Sequence, residues 1–217
     1  MPRPLHNPIE RLTALLQDVA PRTLVALAGL PGSGKSTLAP VLAEAVNART
    51  APGVAIALGM DGFHLSRAEL SALPNPAEAF ARRGAEWTFN PGALFERLSA
   101  LRVSAGRESV GWPSFVHEFG DPVDNALCVP PSTRLVLVEG IYLLSREEGW
   151  QSIGALFDEC WYLDTPPDIA AERLMKRHME AWKMTRDEAA ARIATNDRLN
   201  AAVVQRSREF ADFLVVS

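Results

Sequence analysis

The sequence has 217 residues, 47% of them hydrophobic, and a formal net charge of -4. That is apolar surface enough for one α/β core, and the acidic balance excludes bulk charge as the means of holding a nucleic acid. Cys128 and Cys160 lack CxxC spacing and a nearby His cluster, which excludes a disulfide framework or a zinc site, while charges at Arg3, Glu10, Arg11 and Asp18 break up a secretory leader.

Residues 7 to 20 read as an amphipathic helix, with Asn7 as N-cap, Pro8 at the first helical position, and Ile9, Leu12, Leu15, Leu16 and Val19 on one face. Thr23 to Ala28 is a β-forming run that enters a glycine-rich turn, and Ser36 to Arg49 then has helical spacing. The turn between them, Gly29-Leu30-Pro31-Gly32-Ser33-Gly34-Lys35-Ser36, with Thr37 next, fits the Walker A pattern at every fixed position. Its glycines let backbone N–H groups turn around phosphates, and the helix start adds a positive end. Lys35 supplies a point charge, and Ser36 offers a hydroxyl to Mg2+.

Val54 to Met60 is a second buried strand, closed by Asp61, whose carboxylate is expected at the edge of the sheet where the phosphate loop stands. It can accept the proton of an attacking hydroxyl; the competing reading is a turn residue in Asp61-Gly62. Leu65 to Asn90 is poorly patterned and holds Arg82, Arg83, Trp87 and Phe89, a cationic and aromatic set suited to a polar ring or an acidic metabolite. A helix over 91–102 follows the Asn90 cap, and residues 104 to 133 form a second long connection.

Leu135 to Val138 is a third strand, ending in Glu139, which can reach Mg2+, serve as an alternative base, or simply pair with the loop lysine. Cys160 to Leu163 and Phe213 to Val216 complete the strand set. Helices over 166–181 and from 186 toward 209 start with capping boxes at Thr165-Asp168 and Thr185-Glu188. Arg173 and Arg177, four apart, share a face that can close over phosphates as a lid spanning 165–185, or lie solvated beside Glu172 and Glu180; His178 is expected to pack.

Strands alternating with helices predict one doubly wound α/β domain over 1–217, with about five parallel strands and a three-layer P-loop arrangement. No stretch approaches about 18 uncharged apolar residues, so no membrane span is expected and the cytosol is the default compartment. Neither an Asn-Lys-x-Asp guanine-reading motif nor a Leu-Ser-Gly-Gly signature is present, which favours a kinase over a GTPase or an ABC-type ATPase.

Gly29 to Thr37, Met60-Asp61-Gly62-Phe63-His64-Leu65, Arg83-Gly84-Ala85 through Phe89, Val138-Glu139-Gly140 and Arg173 through His178 resemble, in this order, the P-loop small-molecule kinases. That group includes uridine kinase, phosphoribulokinase, pantothenate kinase and fructose-transport-system kinases. The resemblance implies an ATP- and Mg2+-dependent phosphotransferase acting on a small-molecule hydroxyl. It casts Asp61 as base or orienting group, Glu139 beside Ser36 as metal residue, and His64, Arg83, Trp87, Phe89, Phe115 and His117 as acceptor contacts. Phe115 departs from the family's tyrosine in Pro113-Ser114-Phe115-Val116-His117, which weakens transfer of nucleoside or pantothenate specificity. The run Asp61 to Leu65, with Asn196-Asp197 and Asn200, is most similar to the fructose-transport subgroup. A sugar or sugar-like polyol is the leading acceptor, with uridine or a riboside next and pantothenate third. A nucleotide-binding module without catalysis would keep the loop but not require Asp61, and a monomer or a homodimer fits equally.

Overall fold

The computed structural model describes residues 1–18, 20–116 and 120–216, without the side chain of Val116. The five apolar runs become β2 (Thr23–Gly29), β3 (Ala55–Gly59), β6 (Leu135–Glu139), β7 (Glu159–Leu163) and β8 (Phe213–Val215). All seven residues of β2 are buried, which is why its pattern is continuous rather than alternating. A sixth strand, β1 (Arg3–Leu5), pairs with β8, so that among the described residues the sheet has six strands, in keeping with the expected count of about five, in the order β1-β8-β7-β2-β6-β3. Every neighbouring pair in this sheet is parallel.

Helices cover both faces. On one, α1 (Pro8–Leu15) and α2 (Lys35–Arg49) pack Leu12, Leu42 and Val46 against Leu27, Leu137 and Trp161. The predicted Asn7 cap is present, with Glu10 N donating to Asn7 Oδ1 at 3.1 Å, but α1 stops at Leu15 and Val19 lies outside the described residues. On the other face α5 (Pro91–Val103) and α8 (Arg198–Ser207) pack Leu94, Leu98 and Val204 against Ala26, Val138 and Tyr162. Asn90 caps α5 through Ala93 N at 2.9 Å.

The two weakly patterned connections are built rather than irregular. Residues after β3 turn through a 3-10 segment, Met60–Phe63, into α3 (Arg67–Ala72) and α4 (Pro76–Ala81). The second connection folds into an antiparallel hairpin, β4 (Val110–Val116) with β5 (Asp121–Val129). Trp112, fully buried, donates its indole N–H to Gly59 O at 2.9 Å and so ties the hairpin to the end of β3.

After β7 comes α6 (Pro167–Trp182), whose N-cap is Pro166 rather than Thr165. The Thr165 hydroxyl, one residue before that cap, donates to Ser33 O at 3.0 Å and so ties the start of α6 to the phosphate loop. The second box forms as predicted, with Thr185 and Glu188 satisfying each other's backbone at the start of α7 (Arg186–Arg192). The helical stretch from Arg186 is broken by a π turn, Ile193–Asp197, before α8.

Candidate active site

Three strand ends, those of β2, β6 and β3, meet at one edge of the sheet. Gly29 ends β2 and leads into the glycine-rich loop; Glu139 ends β6, in register with Leu27 on one side and Gly59 on the other. The loop reverses with positive φ at Gly32 and Gly34, +80° and +101°, where side chains are strained. Gly32 has a second constraint: a Cβ there would lie 2.2 Å from Ala170 O in α6, so the loop and that helix touch backbone to backbone.

Lys35 heads α2 and is buried, donating to Leu30 O at 3.0 Å and Ser33 Oγ at 3.5 Å. Burial pulls its ammonium below the usual lysine range; the charges of Glu139 and Asp61 oppose this, and that of Arg177 adds to it. Burial likewise lifts the Glu139 carboxyl above the carboxylate range, against the attraction of Lys35, with Asp61 lifting it further and the Ser36 hydroxyl and Arg177 drawing it back. Lys35, Asp61, Glu139 and Arg177 therefore lie within one another's field. Ser36 and Thr37 are exposed at the helix start beside them.

Asp61 is exposed within the Met60–Phe63 turn, two residues past the end of β3 at Gly59. Its position is fixed by the neighbour that made it look like a simple turn: a Cβ on Gly62 would come 2.3 Å from Pro113 O, so the hairpin packs directly on this turn. Arg173 reaches the phosphate loop, donating from Nη1 to Ser33 O at 3.1 Å. The nearby i,i+4 ion pair of α6 is instead Lys176 with Glu180, at 3.8 Å. Arg173, Lys176, Arg177, Glu180 and Ala181 line an open groove of about 510 Å³ on this helix.

On the acceptor side His64 stacks on Phe89, centroids 3.8 Å apart, and lies 5.0 Å from Phe115. Phe89 is corrected from a contact surface to a core residue: it is 4% exposed, edge-on to Tyr142 and Trp150, and reaches this side only through His64. Arg83 lies over Phe115 at 5.2 Å and donates to Leu65 O at 3.0 Å, with Asp121 3.7 Å away. Its buried Nε has no hydrogen-bond partner among the described residues, and burial holds its guanidinium below the usual arginine range. Trp87 is 42% exposed, and His117 lies outside the described residues.

Pattern reading missed the partners of Arg82. Its fork donates from Nε to Asn196 Oδ1 at 2.9 Å and from Nη2 to Asn200 Oδ1 at 3.2 Å, both asparagines being almost wholly buried. The i,i+4 spacing of those two asparagines was the available signal. His178 packs as expected, buried against Trp182 and bonded to Asp197 at 2.8 Å.

No protein-family model matches the sequence. Among curated proteins, a uridine kinase-like protein of Schizosaccharomyces pombe is 38% identical over 195 residues, covering 89% of this chain and 83% of its own length. An ATP-dependent kinase-like protein of Aspergillus versicolor is 41% identical over 153 residues, 69% of this chain and 88% of that one. Among solved structures, one described as a candidate fructose transport system kinase from Silicibacter sp. TM1040 superposes with a TM-score of 0.83 at 32% identity, over 97% of this chain and 99% of the other. With its phosphate loop at the head of α2 and a parallel sheet carrying helices on both faces, the chain belongs to the P-loop kinase family that contains these uridine kinase-like and fructose-transport-kinase-like proteins.

Proposed function

We propose that the chain transfers the γ-phosphate of ATP to a hydroxyl of a small metabolite, a sugar or sugar-like alcohol being the acceptor. The observation that carries this reading is the pair of carboxylates, Asp61 and Glu139, that share the field of Lys35 at the edge of the sheet. A site that only bound nucleotide would need the loop and its lysine but not a second, exposed carboxylate beyond the metal position.

In this reading the loop from Gly29 to Thr37 wraps the phosphates with its N–H groups, and Lys35 neutralises the β and γ oxygens. Asp61 takes the acceptor's hydroxyl proton or orients its oxygen for in-line attack. Arg173 and Arg177 offset the charge that develops on the transferred group. Arg83, Trp87 and Phe115, with His64, form the acceptor wall, and His117 is assigned there on sequence alone.

The donor set suits Mg2+, which takes few protein ligands and keeps water or phosphate oxygens for the rest: Ser36 supplies a hydroxyl and Glu139 a carboxylate that faces it. When bound, the ion would neutralise charge shared by the β and γ oxygens. The name of the fission-yeast relative supports a second reading, a nucleoside acceptor.

The test is ADP release from Mg-ATP against hexoses, pentoses, polyols, nucleosides and pantothenate, with Asp61→Asn as the blank. Stimulation by one class, reduced by about a hundredfold or more in the variant while ATP affinity stays within about threefold, is the expected result. Tight ATP binding without stimulation by any compound would favour the binding module instead.

A further inference from the structure

The π turn joins two segments that the proposed kinase reading must keep in register. Of its last two residues, Asn196 belongs to the acceptor side: it accepts from Arg82 Nε at 2.9 Å and donates from Nδ2 to Arg83 O at 3.2 Å. The next residue, Asp197, belongs to the arginine helix: it bonds His178 of α6 at 2.8 Å, one position beyond Arg177.

The backbone held by Asn196 is pinned from other directions as well. Tyr142 donates its hydroxyl to Gly84 O at 2.8 Å, and Gly84 N donates to Thr88 Oγ1 at 2.9 Å. Gly84 has φ +107°, and a Cβ on it would lie 3.6 Å from Asn200 Nδ2, so α8 sits close against this turn. Asn200, one α-helical repeat after Asn196, takes the second arm of Arg82 at 3.2 Å.

The extra residue of the π turn accounts for both sets of contacts. Each residue inserted into a helix rotates its C-terminal portion by about 100°. Here α7 keeps its Thr185 cap and its packing beside α6, while α8 turns Asn200 onto Arg82. The bonds that join Arg82, Asn196, Asn200 and Arg83 O favour one arrangement of these residues.

We propose that Arg82, Asn196 and Asp197 are positioning residues that lock the acceptor wall at Arg83 to the helix carrying Arg173 and Arg177, so that the two halves of the site align as one unit. The proposal rests on the kinase reading for its functional sense. None of the three residues needs to touch substrate.

A double-mutant cycle tests it. Arg82→Met cuts the link on the acceptor side and Asp197→Asn weakens it on the helix side. If the residues act in one line, each variant lowers Mg-ATP turnover by about tenfold, and the double variant loses about as much as either alone rather than about a hundredfold. Asn196→Asp keeps an acceptor for Arg82 but sets a carboxylate oxygen against Arg83 O, so it should behave like the cut variants, as should Asn196→Leu.

Multiplicative losses, or wild-type turnover in both single variants, would overturn the proposal. So would losses that track a fall in melting temperature across all the variants, which would mark a role in stability alone. If the wild-type chain turns over no ATP, the same cycle is read on affinity for a non-hydrolysable ATP analogue with Mg2+. There, additive effects would refute the link, and non-additive ones would support it even though the kinase reading had failed.

Discussion

Gly32→Ala and Gly53→Ala separate two costs that the phosphate loop combines. Both glycines have positive φ, +80° and +78°, so alanine meets the same backbone strain, about 1–2 kcal/mol, partly offset by the loss of unfolded-state freedom. Gly53 has nothing within 4 Å of the added methyl, whereas at Gly32 it would stand 2.2 Å from Ala170 O. Real Cβ atoms keep at least 3.0 Å, so loop and helix must part by about 0.8 Å. That movement loosens the bonds of Thr165 and Arg173 to Ser33 O, about 1 kcal/mol each. The expected costs are about 1 kcal/mol for Gly53→Ala and about 3–4 kcal/mol for Gly32→Ala, which for a chain of this size is about 2–4 °C against 8–14 °C in melting temperature. Calorimetric melting measures the difference, and titration with an ATP analogue should show weakened binding, about tenfold, in Gly32→Ala alone. Equal melting temperatures for the two variants would refute the claim that the loop is braced against α6.

Glu139 gives a pH-dependent expectation. Its folded carboxyl is raised above 4.5, so it favours the fold below that pH and loses this contribution as pH rises through the folded value. Nucleotide-free Glu139→Gln should therefore melt higher than wild type at neutral pH, the gap closing below 4.5, while Mg-nucleotide binding weakens; a gap that widens on acidification would contradict the assignment. Arg22, 2% exposed, donates to Thr133 O, Leu101 O and Pro130 O at 2.8 Å each, so Arg22→Met strands buried carbonyls at a cost of about 3–5 kcal/mol, measurable by urea unfolding. A loss below about 1 kcal/mol would show that those oxygens find other partners.

The phosphate loop and five of the six strands were legible because their determinants are local: glycines at fixed spacing, and apolar runs buried on both faces. What escaped depends on distant partners. Strand β1 contains Pro4 and has no pattern of its own, acquiring its identity from β8. Most of β5 is exposed, so the hairpin lacks an apolar alternation, and its placement is decided by Trp112 and Gly62. Thr165 carries a capping signal, but nothing near it in the sequence shows that its hydroxyl donates to Ser33 O, 132 positions earlier. The approach of Asp61 and Glu139 to Lys35 followed from two strand ends flanking the phosphate loop; the core placement of Phe89 did not, since an isolated aromatic carries no sign of what it faces, and the clamp on Arg82 was marked only by the spacing of its two asparagines.

The pairing of β1 with β8 has a kinetic consequence. Arg3 lies opposite Phe213, some 210 positions later in the chain, so this rim of the sheet can assemble only after nearly everything between them has been synthesised. Closing so long a loop is slow, and until it closes the backbone groups of β8 on that flank stay open to strands of other molecules. The two cation–ring contacts that Arg3 and Arg11 make over Phe213 then help to hold the rim closed once β1 and β8 have paired.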